Sequence, residues 1–249
     1  SPDFPRFRAR SGRVHLRNNI ESMKKALVLG GTEDHIKLLN SLKRRGFQTI
    51  LIDYYENPVA KSSADIHIRE NTLDKEKVLQ IARMENVSLT ISLCIDQALL
   101  TMAFVSEEMG TPCYLTYEKA YSLTNKMIMK RKMQKAGIPT APFWVIDGNS
   151  SLPFKNENFV FPLVVKPADA NSSKGISKVN SNEKLGIAIN HAKILSRSDE
   201  VIVEQFVGGD EFSADFFIID YKPQLILCTK LTKSYLHEDK FLIVQSIYP

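Results

Sequence analysis

Cysteine is scarce: three occur in 249 residues, Cys94, Cys113 and Cys228. They are odd in number, far apart and form no CxxC pair, which argues against a disulfide framework or a zinc cluster and fits a reducing, cytoplasmic setting. Eleven glycines and eleven prolines are too few for a fibrous or low-complexity chain. The longest apolar runs, such as residues 89–95, fall far short of the ~18 residues that a spanning helix requires, so a transmembrane protein is excluded. No pair at metal-ligand spacing occurs among His15, His35, His67, His191 and His237, and no GxSxG elbow is present. A zinc hydrolase and a Ser-His-Asp hydrolase are therefore both unsupported.

What is present is an ordinary globular composition, 43% apolar and 24% charged, long enough for one large domain or two small ones. The formal charge of +5 raises the question of a nucleic-acid partner. Its location answers it: Arg6, Arg8, Arg10, Arg13 and Arg17 stand in the first 22 residues against Asp3 and Glu21, and the remainder is close to neutral. That stretch has no hydrophobic periodicity and no apolar signal core, although an Arg-rich, acid-poor segment is also what a mitochondrial presequence looks like. Met23-Lys24-Lys25 followed at once by an apolar strand reads as a natural start, making residues 1–22 an upstream extension. A nucleic-acid binder would rest on that extension alone.

From Lys25 onward, strand and helix periods alternate. A short buried strand leads to Gly30-Gly31-Thr32, and a helix follows with Ile36, Leu39 and Leu42 on one face, stopped at Gly46. Residues 48–53 read as a second strand, Val78, Ile81 and Ala82 as one helix face, and residues 89–93 as another strand. Ala98, Met102, Val105 and Met109 mark the next helix. Such alternation implies parallel βαβ units with the ligand edge at the carboxyl ends of the strands, over residues 23–115. Residues 116–137 read as one or two helices, and the Ile138-Pro139-Thr140-Ala141-Pro142 segment breaks them. Beyond it strands crowd together, interrupted by one helix with Asn182 as its N-cap and Leu185, Ala188, Ala192 and Leu195 inward. This predicts an antiparallel α+β domain over 116–249.

Four places carry chemistry. Gly30-Gly31 sits where a dinucleotide turn would, but Thr32 and His35 stand where that pattern needs glycine, so a tight turn feeding a helix is the better reading and a nicotinamide-dependent enzyme is disfavoured. Asp53 at a strand end could hold a ribose. In VVKPADANSSKGIS, Lys166 ends an apolar strand where a cation needs a partner, and the Asn171-Ser172-Ser173-Lys174-Gly175 loop is small enough for its amides to converge on an anion. That chemistry suits a phosphate, with a surface carboxylate as the alternative partner for Lys166. In VIVEQFVGGDEFSAD, a strand enters a linker and turns at Gly208-Gly209; backbone groups of Gln205 to Val207 could read an adenine edge and Glu211 could accept from ribose hydroxyls, or the segment is a plain hairpin. Lys126 lies early in a helix, where a lysine usually faces solvent.

Taken in order, Asn125-Lys126 with Met129-Lys130, then AGIPTAPF, then PLVVKP and its Lys-Gly loop, then VIVEQFVGGDEFSAD, the chain resembles the ATP-grasp superfamily, nearest the carbamoyl-phosphate-synthase-like and carboxylate-amine ligase branches. The resemblance implies an α/β pre-ATP-grasp (Rossmann-like) domain over 23–115 followed by an α+β ATP-grasp domain over 116–249, incomplete at its C-terminus. It implies that Lys126 and Lys166 contact ATP phosphates and that Ser172, Ser173, Lys174 and Gly175 form a loop over them. Glu204, Gln205, Phe206 and Val207 would line the adenine pocket, with Glu211 at the ribose and Lys230 as a substrate or phosphate contact. The loop is poorer in glycine than is usual in the family, and Gln205 replaces a second acid or a lysine. The family's magnesium ligands fall beyond Pro249, and Asp215, Asp220, Glu238 and Asp239 do not match them, so no metal ligand is expected in this chain. The implied reaction is ATP-dependent activation of a carboxylate as an acyl phosphate for attack by an amine, with small-molecule substrates and neither nucleic acid nor membrane as partner. By this reading the chain is a fragment of such a ligase; the alternative is a non-catalytic nucleotide-binding module.

Overall fold

The apolar strand after Lys25 is buried on both faces because helices cover both sides of the sheet it enters. The structure, a computed structural model, describes residues 23–147, 159–170, 174–234 and 242–247. Expectations on residues 1–22, Asn171, Ser172, Ser173, His237, Glu238, Asp239, Pro249 and the start of the last strand lie outside the described residues.

Strands β1 (Lys25–Leu29), β2 (Gln48–Asp53), β3 (Ile66–Arg69) and β4 (Leu89–Ser92) form a parallel sheet in the order β3-β2-β1-β4. Helix α1 (Glu33–Arg44) packs Leu39 and Leu42 against Ala26, Val28 and Leu51 on one face. On the other, α2 (Lys75–Glu85) and α3 (Ala98–Met109) bring Val78, Leu79, Ala82, Met102 and Val105 onto Leu27, Leu29, Ile50 and Ile52. Local signals end these helices: Asp74 accepts from the Lys77 amide at 3.0 Å to start α2, and Gly110, at φ 64°, closes α3 in the left-handed conformation. The order places a topological switch between β1 and β4, where β1 leads away to one side and β4 arrives on the other.

Two short helices follow, α4 (Tyr117–Thr124) and α5 (Lys126–Lys135), joined through the buried Asn125. Asn125 has extended backbone, which ends α4, and its side-chain oxygen accepts from the Ile128 amide at 3.0 Å, which starts α5. The second sheet runs β5-β8-β6-β7 and is antiparallel: β5 (Phe143–Ile146), β6 (Leu163–Pro167), β7 (Ser177–Val179) and β8 (Val201–Gln205). One face carries Ile146, Leu163, Val165, Val179, Val201 and Val203, and α6 (Asn182–Leu195) covers it with Leu185, Ala188, Ile189 and Ala192. The other face is covered in part by α5, where Met127 and Ile128 meet Phe143, Val145, Ile202 and Ala168. A third sheet, β9 (Glu211–Ile219), β10 (Lys222–Ser234) and β11 (Leu242–Ile247), is an antiparallel meander.

One element was missed and two local expectations need correction. Strand β3 carries a weaker pattern than its neighbours, with half-buried Ile66 and Ile68, and was not legible as a strand. The N-cap of α6 is Ser181, with extended backbone, and Asn182 is the first helical residue. Leu195 at the end of α6 is exposed, and Ile189, one turn after Leu185, takes the inward position instead. No helix of the described residues is long and apolar enough to cross a membrane.

Candidate functional site

The open part of the second sheet's outer face holds the charged groups. Side chains alternate along a strand, so the register decides which share this face. Glu204 stands opposite Phe143 on β5 and Val164 on β6, and Lys166 is two residues along from Val164, so Glu204 and Lys166 are diagonal neighbours. Lys166 Nζ donates to Glu204 Oε1 at 2.5 Å. From α5, Lys130 reaches the same carboxylate: its Nζ stands 3.0 Å from Oε2 as a charge pair, without the angle of a hydrogen bond. Lys130 also donates to Thr140 Oγ1 at 2.6 Å and lies 5.0 Å from the centre of the Phe143 ring. Two cations thus share one carboxylate in a half-dry setting, the side chains of Lys130, Lys166 and Glu204 being 8%, 17% and 14% exposed. On the neighbouring strand β7, Lys178 sits 3.8 Å from the centre of the Phe206 ring.

Lys126 approaches from the first turn of α5. Its amide donates to the Ala168 carbonyl at 2.8 Å and its Nζ to the Ala170 carbonyl, so the start of α5 is tied to the segment leaving β6. Burial pulls its ammonium below the usual lysine range, the Lys166 charge adds to this, and Asp169 and Asp96 oppose it. Lys126 is therefore far from the solvated lysine that its helical position alone suggests. Asp169 in turn accepts from Ser196 Oγ and the Arg197 amide, each at 3.0 Å, and Arg197 donates back to the Asp169 carbonyl. A crevice of about 340 Å³ opens beside this group, lined by Cys94, Asp96, Gln97, Lys174, Leu195 and Arg197 among others. It lies between the carboxyl end of β4 and the β6–β7 connection, the position that the strand order marks for a ligand.

Of the residues expected in the site, Lys126, Lys166 and Glu204 are brought together, and Lys174 lines the adjoining crevice. Ser172 and Ser173 lie outside the described residues. Gly175, at φ 73°, has no room for a side chain: a Cβ there would meet Pro167 Cγ at 2.8 Å. The amides of Gln205 and Phe206 donate to the carbonyls of Pro142 and Pro162, and Val207 beyond them is exposed. Glu211 opens β9, and Lys230 on β10 pairs with Asp210 at 2.7 Å. Lys130, Asp169 and Arg197 carried no assigned role; the four-residue step from Lys126 to Lys130, which sets both on one side of α5, was the available signal.

At the end of β1 the Gly30-Gly31 turn is filled by protein. A Cβ on Gly30 would stand 2.3 Å from Ile95 Cδ1, and one on Gly31 2.4 Å from Pro58 Cβ. The glycines serve close packing, in line with the tight-turn reading. Beneath them His35 is fully buried; its Nε2–H donates to the Leu29 carbonyl at 3.2 Å and its Nδ1 accepts from the Thr32 hydroxyl at 2.8 Å, which is the neutral ring. Burial lowers the His35 pKa, against smaller opposing effects of the Leu29 carbonyl, Asp34 and Asp53. The unfolded chain takes up its proton near pH ~6.5 while the native ring does not, so stability falls as pH drops through and below that value, by at most about 1.4 kcal/mol per unit. Thermal unfolding at about pH 7.5 and pH 5.5 should show a larger acid-side loss in the wild type than in His35→Gln; equal losses would show that His35 does not carry it.

Residues 132–234 match the family model described as "D-ala D-ala ligase C-terminus". Among curated proteins the chain is similar to the formate-dependent phosphoribosylglycinamide formyltransferases of Prochlorococcus marinus, 31% identical over 192 residues, and of Wolinella succinogenes, 29% identical over 189 residues. Each match covers 75% of this chain and 48% of the relative, so the chain spans about half the length of the curated relatives it matches. Among solved structures, the L-amino acid ligase of Bacillus licheniformis superposes with a TM-score of 0.67 at 19% identity, over 87% of this chain and 53% of that one. N5-carboxyaminoimidazole synthetase of Staphylococcus aureus, complexed with ADP, gives 0.66 at 15% identity, over 85% and 55%. The family-model match spans Lys166 and Glu204. By these matches the chain is similar to proteins of the ATP-grasp superfamily, with residues 132–234 carrying the family-model match.

Proposed function

We propose that the outer face of the second sheet is a nucleotide cleft and that the whole protein is an ATP-dependent carboxylate-amine ligase. The observation that carries the reading is the convergence of Lys126 and Lys166 on the end of β6, next to a crevice at the switch point of the first sheet. In this reading residues 23–115 are the Rossmann-like pre-ATP-grasp domain, and residues 116–249 are the N-terminal part of the ATP-grasp domain of a cytoplasmic enzyme. Lys126, Lys166 and Lys174 neutralise the phosphates. Glu204, Gln205, Phe206 and Val207 line the base pocket, Glu211 holds the ribose, and Lys230 is a candidate substrate contact. A substrate carboxylate oxygen attacks the γ-phosphorus and ADP leaves; an amine then attacks the acyl carbon of the resulting acyl phosphate and phosphate leaves. The chain's own part is positioning and charge neutralisation, which this kind of transfer chiefly needs. Magnesium would supply further neutralisation. Among the described residues no group of three or more His, Cys, Asp or Glu is placed to hold a metal ion.

Calorimetric titration of the 249-residue chain with ATP, ADP and NAD⁺ tests this. ATP and ADP should bind and NAD⁺ should not. Lys166→Ala should weaken both adenine nucleotides by about 10- to 100-fold, the worth of a charge-assisted hydrogen bond. Absence of ATP and ADP binding to the wild type, or indifference to Lys166→Ala, would overturn the reading.

A further inference from the structure

Lys130 and Lys166 hold the same carboxylate but are themselves held very differently. Lys166 reaches Glu204 from an open strand face, and its side chain is the more exposed of the two. Lys130 comes from α5, whose neighbours Met127 and Ile128 are packed into an apolar cluster with Phe143 and Ile202. Its Nζ is fastened to Thr140 Oγ1 at 2.6 Å, approaches the Ala141 carbonyl at 3.5 Å and sits over the Phe143 ring. An ammonium has three donors, and moving this one would leave a buried charge without partners. The lysine that can exchange partners is Lys166; the one that stays is Lys130.

We propose that Lys130 is a positioning residue for Glu204, and that it keeps this carboxylate charged and oriented when Lys166 gives up its ion pair for a phosphate. The inference rests on the nucleotide reading above. Once Lys166 turns to phosphate, Glu204 Oε1 is vacated while Oε2 remains paired with Lys130. A fixed carboxylate accepts from an exocyclic amino group and repels a carbonyl oxygen at the same place, so the pair selects an amino-bearing purine over its oxo counterpart. Lys166 and Lys130 thus divide the work: one binds the phosphates of any nucleotide, the other sets which base is accepted. Thr140 is part of the device, because its hydroxyl fixes the ammonium that fixes the carboxylate.

The test is titration of the 249-residue chain with ADP and with IDP, which differ at the purine 6-position. Lys130→Met keeps the length and helix preference of the side chain and removes its charge. The wild type should prefer ADP, and Lys130→Met should lower the ADP-to-IDP ratio about tenfold. Lys130→Arg should restore most of the ratio. Lys166→Ala should weaken ADP and IDP alike and leave the ratio in place. Thermal unfolding run alongside shows whether each variant is folded; if Lys130→Met is not, Thr140→Val, which keeps the lysine but frees it, should lower the ratio by a smaller factor. An unchanged ratio in folded Lys130→Met, or in Thr140→Val where that variant decides, would overturn the proposal while leaving the nucleotide reading intact. Equal weakening of ADP and IDP by Lys130→Met would mean a merely structural lysine. Failure of the wild type to bind ADP would overturn the nucleotide reading and this inference with it.

Discussion

Glu204→Ala should lower the unfolding free energy by about 3–5 kcal/mol, the range for removing one partner from a buried ion pair. The cost does not come from the lost attraction, which desolvation of three charged groups already offsets in large part. It comes from what remains: Lys130 and Lys166, their side chains 8% and 17% exposed, would face each other across the space of one carboxylate. Lys130 cannot swing into water, because its helix is packed against Phe143 and Ile202 and its ammonium is fastened to Thr140. The double variant Glu204→Ala with Lys130→Met should therefore recover a large part of the loss, since an apolar group in place of a buried pair is often neutral. Urea unfolding of the two single variants, the double variant and the wild type measures this. A loss below about 1 kcal/mol in Glu204→Ala, the range of an exposed pair, would mean that water reaches the carboxylate and that the three groups are not coupled.

Gly30→Ala is the second large effect. Gly30 has φ 108°, a conformation that side chains disfavour, and an added Cβ would stand 2.3 Å from Ile95 Cδ1 and 2.9 Å from His35 Nε2. Conformational strain and overpacking each cost about 1–3 kcal/mol, so a loss on the order of 2–4 kcal/mol is expected. The two parts separate by experiment. Ile95→Ala in the Gly30→Ala background should relieve the contact with Ile95 but neither the contact with His35 nor the backbone strain, leaving a residual cost of at least about 1–2 kcal/mol relative to Ile95→Ala alone. Because Ile95 itself lines the crevice between Cys94 and Asp96, Gly30→Ala should also weaken any ligand held there. Unaltered stability in Gly30→Ala would show that the turn can rearrange and that its close packing is not required.

The period of the pattern was enough to read most elements. Residues 26–29 of β1 and 50–52 of β2 are buried on both faces and appear in the sequence as unbroken apolar runs, β4 mixes Leu89 and Ile91 with Thr90 and Ser92, and the stripes Leu39/Leu42 and Val78/Ala82 appear at helical spacing. Strand β3 was hidden because it is short and half-buried. Its start is held by the Asp65 carboxylate, which accepts from the Thr49 amide and hydroxyl, each at 2.8 Å, and pairs with Lys43 at 2.9 Å. Those partners lie 16 and 22 residues back along the chain, and no local pattern announces them.

In the candidate site, local sequence determined that Lys166 ends a strand and that Gly30 and Gly175 sit at turns, while Asn125, which divides α4 from α5 and caps the second, stood unmarked inside a stretch read as one or two helices. The strand end and the turns follow from side-chain size and backbone freedom, which act within a few residues. Only the tertiary structure decided which charges meet. Glu204 reaches Lys166 because β6 and β8 pair antiparallel in one register, and a slip of one residue would turn Glu204 to the α6 side of the sheet. Lys130 joins them because α5 lies across that face, and Lys126 meets Ala170 for the same reason. The pairing of charges over such separations is set by strand register and helix placement, since desolvation makes an unpaired lysine or glutamate costly wherever the packed elements happen to bury it.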